Sequence, residues 1–355
     1  MIEKNRRKVL LKQAVVFGFG RFFFENESCI RSKYEIVGIV DNDAQKEGWS
    51  YKGITISRPG RIAEISYDIV LVVTRIGKSN ILRQLINELN ISSDKIVLWF
   101  EEGGLDPKQY KTTIITETPL HPEILFEVNV EGRDPVRFVL EESGEYMCFD
   151  EWFCMDQYRI DVKGDFGVID IGMNVGMATL YYASFKGCKA VYSFEPFEQT
   201  YRKAVRNIQM NENLKDKIKS YNYAISDHEA QESYDYNVEY PGGMSILGPQ
   251  STGDCVGSSI INVHPASKVL GPIMDEIETA ERDILMKVDC EGSEYAILSD
   301  LKKSNLIRKP KYYVMETHCN RHEEAVSLLK ECDYVVFSYR IDRELGVIYA
   351  VRNGD

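Results

Sequence analysis

The chain is poor in the residues that usually announce a metal or redox protein. Its eight cysteines stand at 29, 148, 154, 188, 255, 290, 319 and 332, and no two form a CxxC pair. That spacing excludes a zinc ribbon and a thioredoxin-type motif, and several of the cysteines lie in apolar runs, as buried reduced thiols do. Long apolar stretches are also missing, so no membrane span is expected. The basic start "MIEKNRRKVLLKQAVVFGFG" has neither a long apolar run nor a small-residue cleavage site, so it does not read as a signal peptide. Positive charge is in deficit too. With 43 Lys and Arg against 55 Asp and Glu, the net charge is -12, which excludes a general nucleic-acid binder. The phosphate-loop pattern G-x-x-x-x-G-K-[ST] is absent. These absences leave a soluble, cytoplasmic protein. Its 355 residues, 44% hydrophobic and 28% charged, suit two domains with real cores.

What is present divides at an acidic, Gly-containing stretch, "EEGGLDPKQY". Residues 1–104 read as a Rossmann-like domain, 105–163 as a linker with a hairpin lead-in, and 164–355 as a second α/β domain. The first domain alternates strands ("KQAVVF", "YEIVGIV", "DIVLVVT", "KIVLWF") with helical segments, which predicts a parallel sheet. Asp41 falls about 20 residues after Gly18 and Gly20, the distance at which a dinucleotide ribose is usually held. The third glycine is missing, however, because Phe23 occupies its place. This module is therefore expected to position substrate or build a homo-oligomer rather than carry a dinucleotide. Trp152, Phe153 and Tyr158 in "DEWFCMDQY" read as core or lid packing, and "PEILFEVNV" and "PVRFVL" as hairpin strands.

The second domain opens on "VIDIGMNVGMATL", residues 168–180, in which an apolar strand runs into a glycine turn and a helix. A carboxylate at the strand tip, Asp170, would repel a pyrophosphate, so it makes better sense beside a cation. S-adenosyl-L-methionine supplies one, and Gly172, Asn174 and Gly176 would let backbone approach it closely. A second acid should end the next strand to hold the ribose diol. Glu195 does so, 19 residues beyond Gly176 in "AVYSFEP". Tyr223 and Ala224 end the following strand, at the expected adenine edge. Downstream, "DILMKVDCEGSEYAIL" carries Lys287, Asp289 and Glu291, and "KYYVMETH" carries His318. Asp289 is the first choice to bind or deprotonate an acceptor, and His318 the second. Lys287 is suited to orient a carboxylate or bind an acidic acceptor. If the strand persists, Asp289 and Glu291 point to opposite faces. Carboxylates and imidazole also suit a divalent metal, but no compact spacing marks one, so no metal is expected.

The motifs "VIDIGMNVG", "SFEP", "AISD", "GGMS", "KVDCEGSEYAIL" and "METH", in this order, make residues 165–320 resemble the FkbM family of methyltransferases. The resemblance implies a class I fold: a seven-stranded, mostly parallel sheet, here closed by the antiparallel edge hairpin "DYVVFSYR"/"GVIYAVR". It also implies S-adenosyl-L-methionine-dependent O-methylation of a sugar, polysaccharide or natural-product acceptor. Met173 and Met177 depart from the smaller residues common beside that turn. The Gly- and Ser-rich stretch "NVEYPGGMSILGPQSTGDCVGSS" reads as an acceptor-side lid or a surface loop. Two alternatives stay open at this point: a nucleotide-dependent oxidoreductase using the first domain, and a non-catalytic cofactor-binding scaffold.

Overall fold

The computed structural model describes residues 11–100, 110–115, 123–140, 143–236 and 257–354. The "GGMS" motif, most of the Gly- and Ser-rich stretch around it and His121 lie outside these residues. The chain divides into two compact units, Met1–Leu125 and Phe126–Asp355.

The first unit contains β1 (Lys12–Phe17), α1 (Arg21–Lys33), β2 (Tyr34–Val40), β3 (Ser50–Tyr51), β4 (Ile54–Ser57), β5 (Ile69–Val72), α2 (Lys78–Arg83), β6 (Ile96–Leu98) and β7 (Tyr110–Ile115). Six strands form a sheet in the order β3-β4-β2-β1-β5-β6, parallel except at β3. Apolar runs such as "AVVF" and "IVLV" are fully buried, as strands covered on both faces must be. Phe23, in the third-glycine position, is itself core, packed with Val16, Ile39 and Leu71.

One ion network in this unit has a measurable consequence. Glu27 on α1 accepts from Arg31 Nε at 2.7 Å, Tyr51 Oη at 2.7 Å and Lys52 Nζ at 2.9 Å. Burial opposes its charge, but these donors prevail and hold the carboxyl down at about 2, from 4.5. A depressed carboxyl contributes stability that is whole above pH 4.5 and is lost as pH falls through about 2. Glu27→Gln is therefore expected to lower the thermal midpoint at pH 6. The gap from the parent should shrink as melts are taken from pH 5 down to pH 2; a pH-independent gap would contradict the network's role.

The second unit takes up the latter half of β8 (Glu123–Val128), then β9 (Val136–Leu140), α3 (Ser143–Phe149), β10 (Phe166–Ile171), α4 (Met177–Ala183), β11 (Cys188–Phe194), α5 (Glu198–Gln209), β12 (Ile218–Tyr221), β13 (Ala224–Ser226), β14 (Ala230–Tyr236), β15 (Gly257–Pro265) and α6 (Ala266–Thr279). It ends with β16 (Asp283–Val288), α7 (Glu294–Lys303), β17 (Tyr312–Thr317), α8 (His322–Glu331), β18 (Tyr334–Arg340) and β19 (Gly346–Arg352). Seven strands form the main sheet in the order β12-β11-β10-β16-β17-β19-β18, with β19 alone antiparallel to both neighbours. This is the class I order, with the reversed strand lying inside the edge rather than at it.

The sequence dictates the centre of that sheet. All six residues of β10 are buried, so it must be a middle strand. Helices α6, α7 and α8 press Met274, Leu298 and Leu329 onto Ile169, Met286 and Met315. Near the start of the unit, Phe126, Phe138, Phe149 and Phe153 form a continuous ring cluster with centroids 4.9–5.7 Å apart. Trp152, Phe153 and Tyr158 are buried, so the aromatic run around them is packing. From β10 the chain winds outward through β11 and β12, then crosses to β16 on the other side. The crossover leaves a crevice at the carboxyl ends of β10 and β16, where open α/β sheets take their ligands.

Candidate active site

An open cavity occupies that crevice. It is lined by residues just past four strand ends: Gly172 and Asn174 after β10, Glu195 and Phe197 after β11, Tyr223 and Ala224 after β12, and Asp289 to Glu291 after β16.

The turn after β10 is built by backbone constraint. Gly172 has φ +83° and Gly176 φ +88°, with Asn174 between them at φ +50°. A Cβ on Gly172 would overlap the carbonyl oxygen of Asp289 and lie 2.8 Å from its carbonyl carbon. The missing side chain thus lets the two central strands' loops meet under the cavity. Met173 and Met177 are both buried beside this turn.

Glu195 is 6% exposed, and both its oxygens accept backbone N–H bonds, from Asn174 at 2.9 Å and Phe197 at 3.0 Å. Burial pushes its carboxyl up to about 7 even so. Each oxygen keeps a further lone pair toward the cavity. Asn174 Oδ1 is buried and has no hydrogen-bond partner among the described residues, a cost of about 1–3 kcal/mol unless a ligand donor meets it.

Asp170 is placed differently from the expectation. It is fully buried and does not line the cavity. It stands in register with Lys287 on the adjacent parallel strand, so both side chains fall on one face. Thr179 Oγ1 donates to its Oδ2 at 2.6 Å, and Lys287 Nζ lies 3.2 Å from its Oδ1. The cation beside Asp170 therefore comes from the protein. Lys287 also donates to Gly172 O at 2.6 Å. Burial disfavours its ammonium, but Asp170 and Asp289 hold it above the ordinary lysine range.

The expectation for Asp289 and Glu291 also needs correction. β16 ends at Val288, and Glu291 turns into the left-handed region at φ +57°. Strand alternation no longer applies, and the donor atoms of Asp289, Glu291 and His318 all lie within 4.8 Å of one another. Sequence spacing shows no such grouping; the β16 and β17 ends create it. His318 Nδ1 pairs with Glu294 Oε1 at 2.9 Å, and Glu294 also accepts the N–H groups of Cys290 and Gly292. Glu316 joins from the end of β17, with Tyr158 donating to its Oε2 at 2.5 Å. Burial, then the charges of Glu316 and Asp289, push the carboxyl of Glu151 up to about 8. Glu151 and Glu316 were not anticipated as site residues. Their acidity beside aromatic or strand-end residues was visible, but not their convergence.

Residues 170–336 match the sequence family described as the methyltransferase FkbM domain. These residues form an FkbM methyltransferase domain. Residues 10–97 match a second family, described as C2185-like, N-terminal. "Methyltransferase 1" of Beauveria bassiana (strain ARSEF 2860) is 24% identical over 147 residues, spanning 38% of this chain and 57% of that protein. Among solved structures, a methyltransferase FkbM from Methylobacillus flagellatus KT aligns over 96% of this chain and 90% of its own, with 13% identity and a TM-score of 0.39. A precorrin-6y C5,15-methyltransferase from Geobacter metallireducens GS-15 aligns over 56% of this chain and 85% of its own, with 11% identity and a TM-score of 0.33. The described residues of the FkbM domain and of the first unit contain no helix long and apolar enough to cross a membrane.

Proposed function

We propose that the chain is an S-adenosyl-L-methionine-dependent O-methyltransferase whose acceptor is a hydroxyl of a sugar, polysaccharide or natural product. The observation that carries this reading is the cavity itself, lined by a glycine turn, an Asn174 amide oxygen with no partner among the described residues, a buried carboxylate and Asp289. The cofactor, when bound, supplies an electrophilic methyl group on sulfur. Asn174 Oδ1 is the acceptor this chain offers to an ammonium, and Glu195 the acceptor it offers to a ribose diol. Tyr223, Ala224 and Ile225 give an apolar edge for a purine. Asp289 holds the acceptor oxygen or takes its proton, and His318, Glu291 and Lys287 shape the charge around it. Much of the acceleration then comes from alignment of acceptor and methyl.

The dinucleotide alternative draws little support. In the first unit, Asp41 spends Oδ2 on the N–H of Phe19 and on Lys46, and Oδ1 on the N–H of Asp43. Seven cysteines among the described residues are free thiols, which supports a reducing compartment such as the cytoplasm. The test is ligand protection against thermal unfolding. S-adenosylhomocysteine should raise the melting temperature and NAD(H) should not. Glu195→Ala should weaken S-adenosylhomocysteine binding at least tenfold by calorimetry, since it removes a buried charged acceptor. Parent-like affinity in a variant that keeps its circular dichroism would sink the cofactor assignment.

A further inference from the structure

We infer that Asp289, Glu291 and His318, with Glu316 at their edge, form a binding site for one divalent cation of the Mn2+ or Mg2+ type. The inference rests on the methyltransferase reading for what the cation would do, but not for whether it binds.

Carboxylates alone would make only a solvated acidic patch. Here the decisive group is His318, which is 6% exposed. Its Nδ1 side is fixed by Glu294, a carboxylate itself tied down by the N–H groups of Cys290 and Gly292. Such a carboxylate–histidine pairing orients the other ring nitrogen, as it does for metal-bound imidazoles. That nitrogen, Nε2, is paired with carboxylates only. It points between two acids, 3.4 Å from Glu291 Oε2 and 3.8 Å from Glu316 Oε1.

The distances suit ligation. Donors about 2.1 Å from one cation lie about 3.0 Å apart when adjacent and about 4.2 Å apart when opposite. Separations of 3.4 and 3.8 Å fall in that interval, and the 4.8 Å limit of the group needs only a small side-chain closure. Lys287, 3.5 Å from Asp289 Oδ2, is already shared with Asp170 and Gly172 O. A mixed carboxylate–imidazole set with no thiolate selects a hard or borderline cation.

Asp289 and Glu291 also line the cavity, so the cation would sit on its acceptor side. There it would bind an acceptor hydroxyl oxygen and lower that hydroxyl's pKa. This would favour acceptors carrying a second oxygen next to the reacting one, because two oxygens chelate better than one.

The experiment uses the full chain, stripped with a chelator and titrated with Mn2+. Free Mn2+ is followed by electron paramagnetic resonance, and S-adenosylhomocysteine binding is measured in parallel. One saturating equivalent is expected, with nitrogen modulation from an imidazole in the pulsed spectrum. His318→Gln should abolish that modulation, and both it and Glu316→Gln should weaken Mn2+ at least tenfold while circular dichroism holds. Saturable binding that neither substitution changes, or no saturable binding to a protein that still takes S-adenosylhomocysteine, would overturn the cation site and leave the methyltransferase reading intact. Mn2+ binding with the imidazole signal but no S-adenosylhomocysteine binding would uphold the site and sink that reading instead.

Discussion

Gly172→Ala is expected to cost the FkbM domain about 2–6 kcal/mol and to remove its affinity for S-adenosylhomocysteine. Two penalties combine. The first is a left-handed backbone, φ +83° at Gly172, which costs a residue with a side chain about 1–3 kcal/mol. The second is steric: the new methyl would overlap the carbonyl of Asp289, and that neighbour is backbone, which has no rotamer to turn away. Overpacking of this kind typically costs a further 1–3 kcal/mol or so. Relief requires the loops after β10 and β16 to part. Both loops wall the cavity, and Lys287 ties them together through Gly172 O. Thermal unfolding and calorimetry check the result together. Gly20→Ala in the first unit is the natural control, since a Cβ there meets nothing within 4 Å. A Gly172→Ala protein that melts and binds like the parent would mean that the turn does not hold the cavity in shape.

The glycine turn and Glu195 were readable in the sequence because they depend on local order. A buried strand, two glycines and an acid one strand later are separated by short distances that the fold scarcely changes. Even the parallel sheet and its reversed strand follow from the alternation of apolar runs and helical segments. What was not readable depends on register. Asp170 looked like a partner for a ligand cation because nothing in the sequence says which residue of β16 lies beside it. Once the strands pair, Lys287 stands in register, and the carboxylate has a charge partner inside the protein. The same holds for the acidic corner. Asp289, Glu291 and His318 span 30 positions, and Glu151 joins them from far earlier in the chain. Only the turn at Glu291 and the parallel pairing of β16 with β17 bring them together. Strand alternation failed at Glu291 for a specific reason: the strand stops at Val288, three residues too soon for the rule to apply.

Asp289→Asn is expected to lower methyl transfer by roughly two to four powers of ten while leaving S-adenosylhomocysteine affinity within a few-fold of the parent. The change keeps the side chain's shape and removes its charge. Affinity should survive because the groups offered to the cofactor, Asn174 and Glu195, sit after β10 and β11, whereas Asp289 sits after β16. Stability should change little as well, since Asp289 is partly exposed and its contact with Lys287 is 3.5 Å, against 2.6 Å for the lysine's bond to Gly172 O. The rate is checked by S-adenosylhomocysteine release over a panel of hydroxylated acceptors, normalised to folded protein. If the side chain only braces Lys287, the melting temperature will fall and turnover per folded molecule will persist. If it acts through a bound cation, excess Mn2+ will restore part of the rate, because Glu291, His318 and Glu316 remain as ligands. If it takes the acceptor proton directly, no metal will help, and acceptors with more acidic hydroxyls will lose least. The acidity dependence and the metal response separate the two chemical roles in one set of assays.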